Sequence, residues 1–294
     1  MNKVAYRTGD AGDAEIKLRG FVMNADRSPS DPSPSGLATS AAAPVIRLTN
    51  LCKVFGTKAN SHLAVSNVSM DIHEGDFVSL VGPSGCGKTT ILKILAGLYG
   101  VDEGMLSLRA DFQSDMAKHH VGMVFQQPLL LKWRTILENV MLPADVLGLP
   151  RRPAQKRARY LLEMVGLSGS EAKYPYELSG GMQQRAAIAR ALLHDPKLLL
   201  MDEPFGALDA LTRERVNLEM LRIWHETGKT IIFVTHSIQE ALFLGSKCAV
   251  LTSGPARMAD FFAIPLPYPR ALEVKTTEVF GELTKRTYHL LGMK

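Results

Sequence analysis

The stretch that most constrains this chain is residues 77–95, where the apolar pentapeptide FVSLV passes through GPSGCGKTT into ILKIL. A short apolar run of that kind reads as a strand buried on both faces, and the segment opening at Lys88, TTILKILAGL, carries apolar residues at helical spacing. Strand, glycine-rich turn and helix in that order open a βαβ unit, which implies a parallel sheet with helices packed on it. The turn matches G-x-x-x-x-G-K-S/T through Gly82, Pro83, Ser84, Gly85, Cys86, Gly87, Lys88 and Thr89, with Thr90 following. Its glycines let backbone N–H groups turn onto phosphate oxygens, and the helix N-terminus adds partial positive charge. Lys88 is then placed for the β- and γ-phosphates and the Thr89 hydroxyl for Mg²⁺. Cys86 falls at a variable position of the pattern, so no chemistry is asked of its thiol.

A second buried strand, LLLM from Leu198, ends in Asp202 and Glu203. Open α/β sheets bind ligands at the carboxyl ends of their strands. There Asp202 suits Mg²⁺ through water, and Glu203 is free to polarise a water attacking the γ-phosphate. Alone, the pair is a helix cap before Pro204; beside a phosphate loop, catalysis is the stronger reading. Between these motifs lies LSGGMQQR, in which Ser179, Gly180, Gly181 and Gln183 open a helix. Its N-terminus is a second anion-binding terminus, although an isolated Ser-Gly-Gly is usually only a cap.

The rest of the chain fits one cytosolic globular body. Of its 294 residues, 46% are apolar and 21% charged, which excludes a fibrous or wholly disordered chain. The net charge of +5 is mild and identifies no partner. Cys52, Cys86 and Cys248 have neither disulfide-framework nor zinc spacing, and a reducing compartment is expected. No signal peptide opens the chain, and runs such as LLLM or IIFV fall far short of the roughly 20 residues that span a bilayer. Residues 1–43, rich in Ser, Pro and Ala, read as a mobile tail. Strands are expected in VIRL, LAVSNVSMDI, MLSLRA and HVGMVF, then a helical insertion from about 132 to 194, then β/α alternation to CAVLT. Beyond Met258 the expectation is an extended linker and a helix over Val274–Leu291. In RRPAQKRARY, residues Arg151, Arg152, Lys156, Arg157 and Arg159 read as a solvated helix face in preference to a nucleic-acid or lipid patch.

With these motifs in this order, residues Val45 to Met258 resemble the ATPase subunit of an ATP-binding cassette (ABC) transporter. The resemblance implies an α/β P-loop NTPase cassette: a mixed sheet core, a small antiparallel β subdomain and an inserted helical subdomain, over residues 44–258, with a short extension over 259–294. It implies a glutamine loop at VFQQP, whose Gln126 senses the γ-phosphate and joins Thr89 and Asp202 at Mg²⁺, and a switch histidine, His236, in VTHS. It adds Asp209, in GALD, and the signature residues Ser179, Gly180, Gly181 and Gln183 to the nucleotide contacts. Phe55 is the candidate for stacking on adenine, and inward packing in its strand is an equal alternative.

That family implies ATP and Mg²⁺ as cofactors, a head-to-tail homodimer, multi-span permease subunits and, indirectly, an extracytoplasmic substrate-binding protein. It implies a peripheral place on the cytoplasmic face of the inner membrane, and no nucleic acid. LLLKWRTILENVMLPADVLGL, DEPFGALDALTR and VTHSIQEALFLG are similar to the importer branch serving nitrate, aliphatic sulfonates, taurine and related compounds. A DNA-repair ATPase would split the cassette with coiled coil or zinc modules, and a translation-factor relative would carry two signatures; this sequence has one LSGG and neither insertion.

Overall fold

The computed structural model describes residues 43–57, 60–109 and 121–293. Apart from its last residue, the expected tail over 1–43 lies outside the described residues. Strands β1 (Ile46–Thr57), β2 (Asn60–Ile72) and β4 (Glu103–Leu108) form a three-stranded antiparallel sheet in the order β2-β1-β4. Strands β3 (Phe77–Val81), β5 (Val121–Val124), β6 (Leu198–Asp202), β7 (Thr230–Thr235), β8 (Lys247–Leu251) and β9 (Met258–Ala263) form the central sheet, in the order β5-β6-β7-β3-β8-β9. All of its pairs are parallel except β8 with β9.

Alternation along the central strands divides the interior in two. Phe77, Val81, Leu199, Met201, Ile231 and Phe233 face one core, built with the helices from Ile136 onward. Val78, Leu80, Leu198, Leu200, Ile232 and Val234 face the other, shared with α1 (Lys88–Leu95) and the antiparallel sheet. Burial on both faces is why these strands read as continuous apolar runs.

The helical segment holds α2 (Ile136–Leu147), α3 (Arg151–Met164) and α4 (Gly180–Leu192). Helix α2 opens on a capping box, Thr135 with Glu138. Beside it, buried Asn139 donates to the carbonyls of Leu131, Arg134 and Thr135 and pins the approach to the helix. Along α3 the cationic cluster is not uniform. Arg151, Arg152, Lys156 and Arg159 are exposed, whereas Arg157 turns inward to the Leu192 carbonyl at 3.2 Å and Asp195 at 2.9 Å, because it lies beside the buried stripe of Ala154, Ala158, Leu161 and Leu162. Helices α5 (Ala210–Thr227), α6 (Ile238–Leu244) and α7 (Glu278–Leu290) complete the fold.

The segment after Met258 departs from the sequence expectation of an extended linker. It forms the edge strand β9, and Phe262, Ile264 and Leu266 are buried. The strand was not legible because most of MADFFA is only half-buried, and an edge strand shows neither an apolar run nor clean alternation. The terminal helix starts at Glu278, and Leu272–Thr276 is a 3₁₀ turn. A chain ending at Met258 should lose a large part of its stability. Burial of Phe262, Ile264 and Leu266 alone is worth about 5 kcal/mol, comparable with the net stability of a whole domain. Circular-dichroism melting should show a fall in Tm of more than about 15 °C or no cooperative transition. An unchanged melt would show that β9 is dispensable.

Candidate active site

Neighbouring parallel strands β5, β6, β7 and β3 each end in one of the motifs. Gln126 follows β5, Asp202 and Glu203 close β6, His236 follows β7, and the phosphate loop follows β3. The register pairs Val124 with Met201, Asp202 with Val234 and Thr235 with Val81, so these ends lie side by side along one edge.

The phosphate loop is shaped by its glycines. Gly87 has φ +115°, and a Cβ there would lie 2.7 Å from the Ala64 carbonyl oxygen and 3.0 Å from the Ala256 Cβ. Gly87→Ala should therefore distort the loop at a cost of about 2 kcal/mol or more, read as a lower Tm and weaker ATP binding; a neutral substitution would show that the loop is slack. Lys88 is 4% exposed, and its ammonium donates to the Gly82 and Pro83 carbonyls at 2.8 Å each. An ammonium carries three protons, so one remains for a phosphate oxygen. Cys86 is buried, which pushes its thiol pKa up and keeps it inert.

Thr89 Oγ1 donates to Asp202 Oδ1 at 3.0 Å. Burial, opposed by this hydrogen bond and reinforced by the charge of Glu203, raises the Asp202 carboxyl above its usual range. A buried carboxylate beside a hydroxyl fits a hard divalent cation, which would relieve that cost. Among the described residues no group of three or more His, Cys, Asp or Glu is arranged to hold a metal. A cation here would take its other ligands from phosphates and water, as Mg²⁺ does.

Glu203 is the hub. Its backbone lies at φ +45°, a strained region for a non-glycine residue, and is held there by its N–H on the Val234 carbonyl at 2.9 Å. Gln126 Nε2 donates to Glu203 Oε2 at 3.2 Å, and His236 Nδ1 lies 3.4 Å from the same oxygen. Among the described residues Oε1 has no hydrogen-bond partner, which leaves it able to accept from a water. The His236 side chain is 60% exposed and that of Glu203 19%, so the pair opens to solvent on one side.

The remaining predicted residues are not drawn into this cluster. Ser179 caps α4, with its hydroxyl accepting from Met182 N at 3.3 Å. Gln183 turns back onto the carbonyls of Pro175 and Leu178 at 2.9 and 3.1 Å, bracing the turn before Ser179. Asp209 caps α5 through Thr212 N at 2.9 Å, and hydrogen bonding from Thr212 holds its carboxyl below the usual range. A Cβ on Gly181 would sit 3.1 Å from Leu208 Cδ2, so the start of α4 lies against the loop leading to Asp209. Ser179, Gly180 and Asp209 are exposed.

Phe55 packs half-buried against the core beneath the antiparallel sheet and meets Tyr99 edge-on at 5.3 Å. The inward-packing alternative thus describes part of the ring's environment. Tyr99, which the sequence reading passed over, is the second aromatic at that position; its signal is the aromatic in LYG just beyond the helix. Two further residues were missed on α4. Buried Gln184 donates to the Phe125 carbonyl at 2.9 Å, and Arg190 donates to those of Pro128 and Leu129 at 2.7 and 2.8 Å. Together they fix the backbone on either side of Gln126 to the helix that begins at Ser179.

A family model described as ABC transporter matches residues 65–206. An uncharacterized ABC transporter ATP-binding protein of Methanocaldococcus jannaschii is 43% identical over 246 residues, 84% of this chain and 91% of that protein. The aliphatic sulfonates import ATP-binding protein SsuB of Bacillus cereus is 40% identical, over 82% of this chain and 93% of its own. The taurine import ATP-binding protein TauB of Roseobacter denitrificans is 44% identical over 75% and 82%. Among solved structures, a dimeric ATP-binding cassette in a post-hydrolysis state, bound to ADP and Pi, superposes with a TM-score of 0.68 at 34% identity. That alignment covers 76% of this chain and 100% of the other.

Proposed function

This chain belongs to the ABC transporter family and hydrolyses ATP, and on that premise we propose that Glu203 activates the attacking water, with Gln126 and His236 holding its Oε2. The observation that carries this reading is the meeting of those two side chains, from different strand ends, on one carboxylate oxygen. The loop N–H groups and Lys88 bind and orient the phosphates. Thr89 and Asp202, with Gln126, would hold Mg²⁺, which offsets phosphate charge when bound. As water bonds to the γ-phosphorus, its proton passes to Glu203 and the bond to the bridging oxygen of ADP breaks. Phe55, with Tyr99, supports the adenine face, and Gln126 and His236 report the γ-phosphate.

The exposed Ser179 terminus and Asp209 serve a nucleotide held by a second copy, so the working unit is a head-to-tail homodimer. It drives a multi-span permease at the cytoplasmic face of the inner membrane, supplied by an extracytoplasmic binding protein. The cargo is a small anion of the sulfonate or taurine kind, or a related compound. No helix among the described residues is long and apolar enough to cross a membrane; in this reading the permease provides the membrane association. Copurification tests this: tagged chain extracted from membranes in mild detergent should carry a multi-span subunit. Recovery only from the soluble fraction, with ATPase activity intact, would overturn the importer reading alone.

A further inference from the structure

The turn that carries His236 is enclosed by hydrogen bonds from both sides. Thr235 Oγ1 donates to Glu240 Oε2 at 2.7 Å and accepts from Ser237 N at 3.0 Å, and Glu240 N donates to Ser237 Oγ at 3.3 Å. Glu240 is 8% exposed, and a carboxylate so buried requires partners. Its other oxygen, Oε1, lies 3.5 Å from Arg213 Nε on α5. Arg213 Nη2 in turn donates to the Leu208 carbonyl at 2.9 Å, the residue before Asp209. The far end of α6 is also held, since buried Arg270 donates to the carbonyls of Leu242, Phe243 and Gly245 at 2.8 to 3.0 Å. Helix α6 is thereby fixed at both ends, with the His236 side chain left exposed in front of it.

We propose that Glu240 and Arg213 are a positioning pair that sets His236 against Glu203 and ties that turn to the loop carrying Asp209. The pair spans a short route between the turn that serves the chain's own nucleotide and the loop that serves the nucleotide of the second copy. One partner braces the turn after β7, and the other holds the backbone that packs against Gly181. Neither side chain touches the reacting atoms, so the effect of the pair passes through the placement of His236 and of the 206–209 loop.

In the full-length chain, Glu240→Ala should lower kcat about tenfold while KM for ATP and Kd for a fluorescent ATP analogue stay within about twofold, because a small misplacement of a catalytic group costs rate and not binding. Glu240→Gln keeps an oxygen acceptor for Thr235 but loses the charge and the acceptor that faces Arg213, so its loss should be about threefold. Arg213→Met loses this contact and also the hydrogen bond to the Leu208 carbonyl, so its loss should be at least that of Glu240→Gln, and the double variant should be no worse than Arg213→Met alone because the shared contact is already gone. A rise in KM with kcat unchanged, multiplying losses in the double variant, or wild-type kcat in every variant would overturn the pair. If Glu240→Ala fails to melt cooperatively, the other two variants decide by the same criteria. The inference rests on the role given to His236 above, and His236→Ala separates the two. Wild-type turnover there removes that role, whereas a drop there with Glu240→Gln and Arg213→Met unaffected removes only the pair.

Discussion

Glu203→Gln should bind MgATP as the parent chain does and hydrolyse it about 10²-fold more slowly or worse, because an amide of the same size cannot take the proton of the attacking water. The geometry makes the substitution clean. The strained backbone at φ +45° is held by a main-chain hydrogen bond to Val234 that the change leaves alone. What is lost is the carboxylate charge and the free acceptor oxygen Oε1, while an amide oxygen can still meet Gln126 and His236 at the Oε2 position. Single-turnover phosphate release with saturating nucleotide separates the chemical step from binding. Turnover within a few-fold of wild type would transfer the role of base to another group. The same variant should accumulate as an ATP-bound dimer, visible as a doubled mass in light scattering.

Lys88→Ala and Ser179→Arg should each be inactive alone and recover hydrolysis when mixed. Lys88 supplies a charge-assisted contact worth about 1.5–3 kcal/mol, so its removal alone should weaken ATP binding by one to two orders of magnitude. Arginine at Ser179 removes the cap of α4 and places bulk and charge at the exposed helix terminus proposed to meet the partner copy's nucleotide. In a head-to-tail mixed dimer one interface carries both lesions and the other carries neither. Activity should return to at most about half of wild type if the sites act independently, and to less if they are cooperative. Failure in demonstrated mixed dimers would favour a site completed within one chain, or a requirement for two intact sites. ATP-dependent crosslinking between the loop at Ser84 and the start of α4 distinguishes these.

The sequence by itself determined the elements whose physics is local. FVSLV, LLLMD and TIIFVT read as strands because burial on both faces demands continuous apolar side chains, and the phosphate loop reads from its glycines because positive φ, as at Gly85 and Gly87, strains other residues. Glu203 reads from its place at the end of a buried strand, whereas Gln126 and His236 were named from the family resemblance. Only the tertiary structure decided what depends on strand order and chain reversal. Placing β5, β6, β7 and β3 side by side brings Gln126 and His236 onto one oxygen of Glu203, a contact that no spacing encodes. Gln183 faces its own segment because the carbonyls of Pro175 and Leu178 are its nearest acceptors. The inward turn of Arg157 and the contact of Glu240 with Arg213 were hidden because their partners lie far along the chain. The edge strand β9 pairs with its chain neighbour β8, and it was hidden because a half-buried edge strand carries no periodicity that announces it.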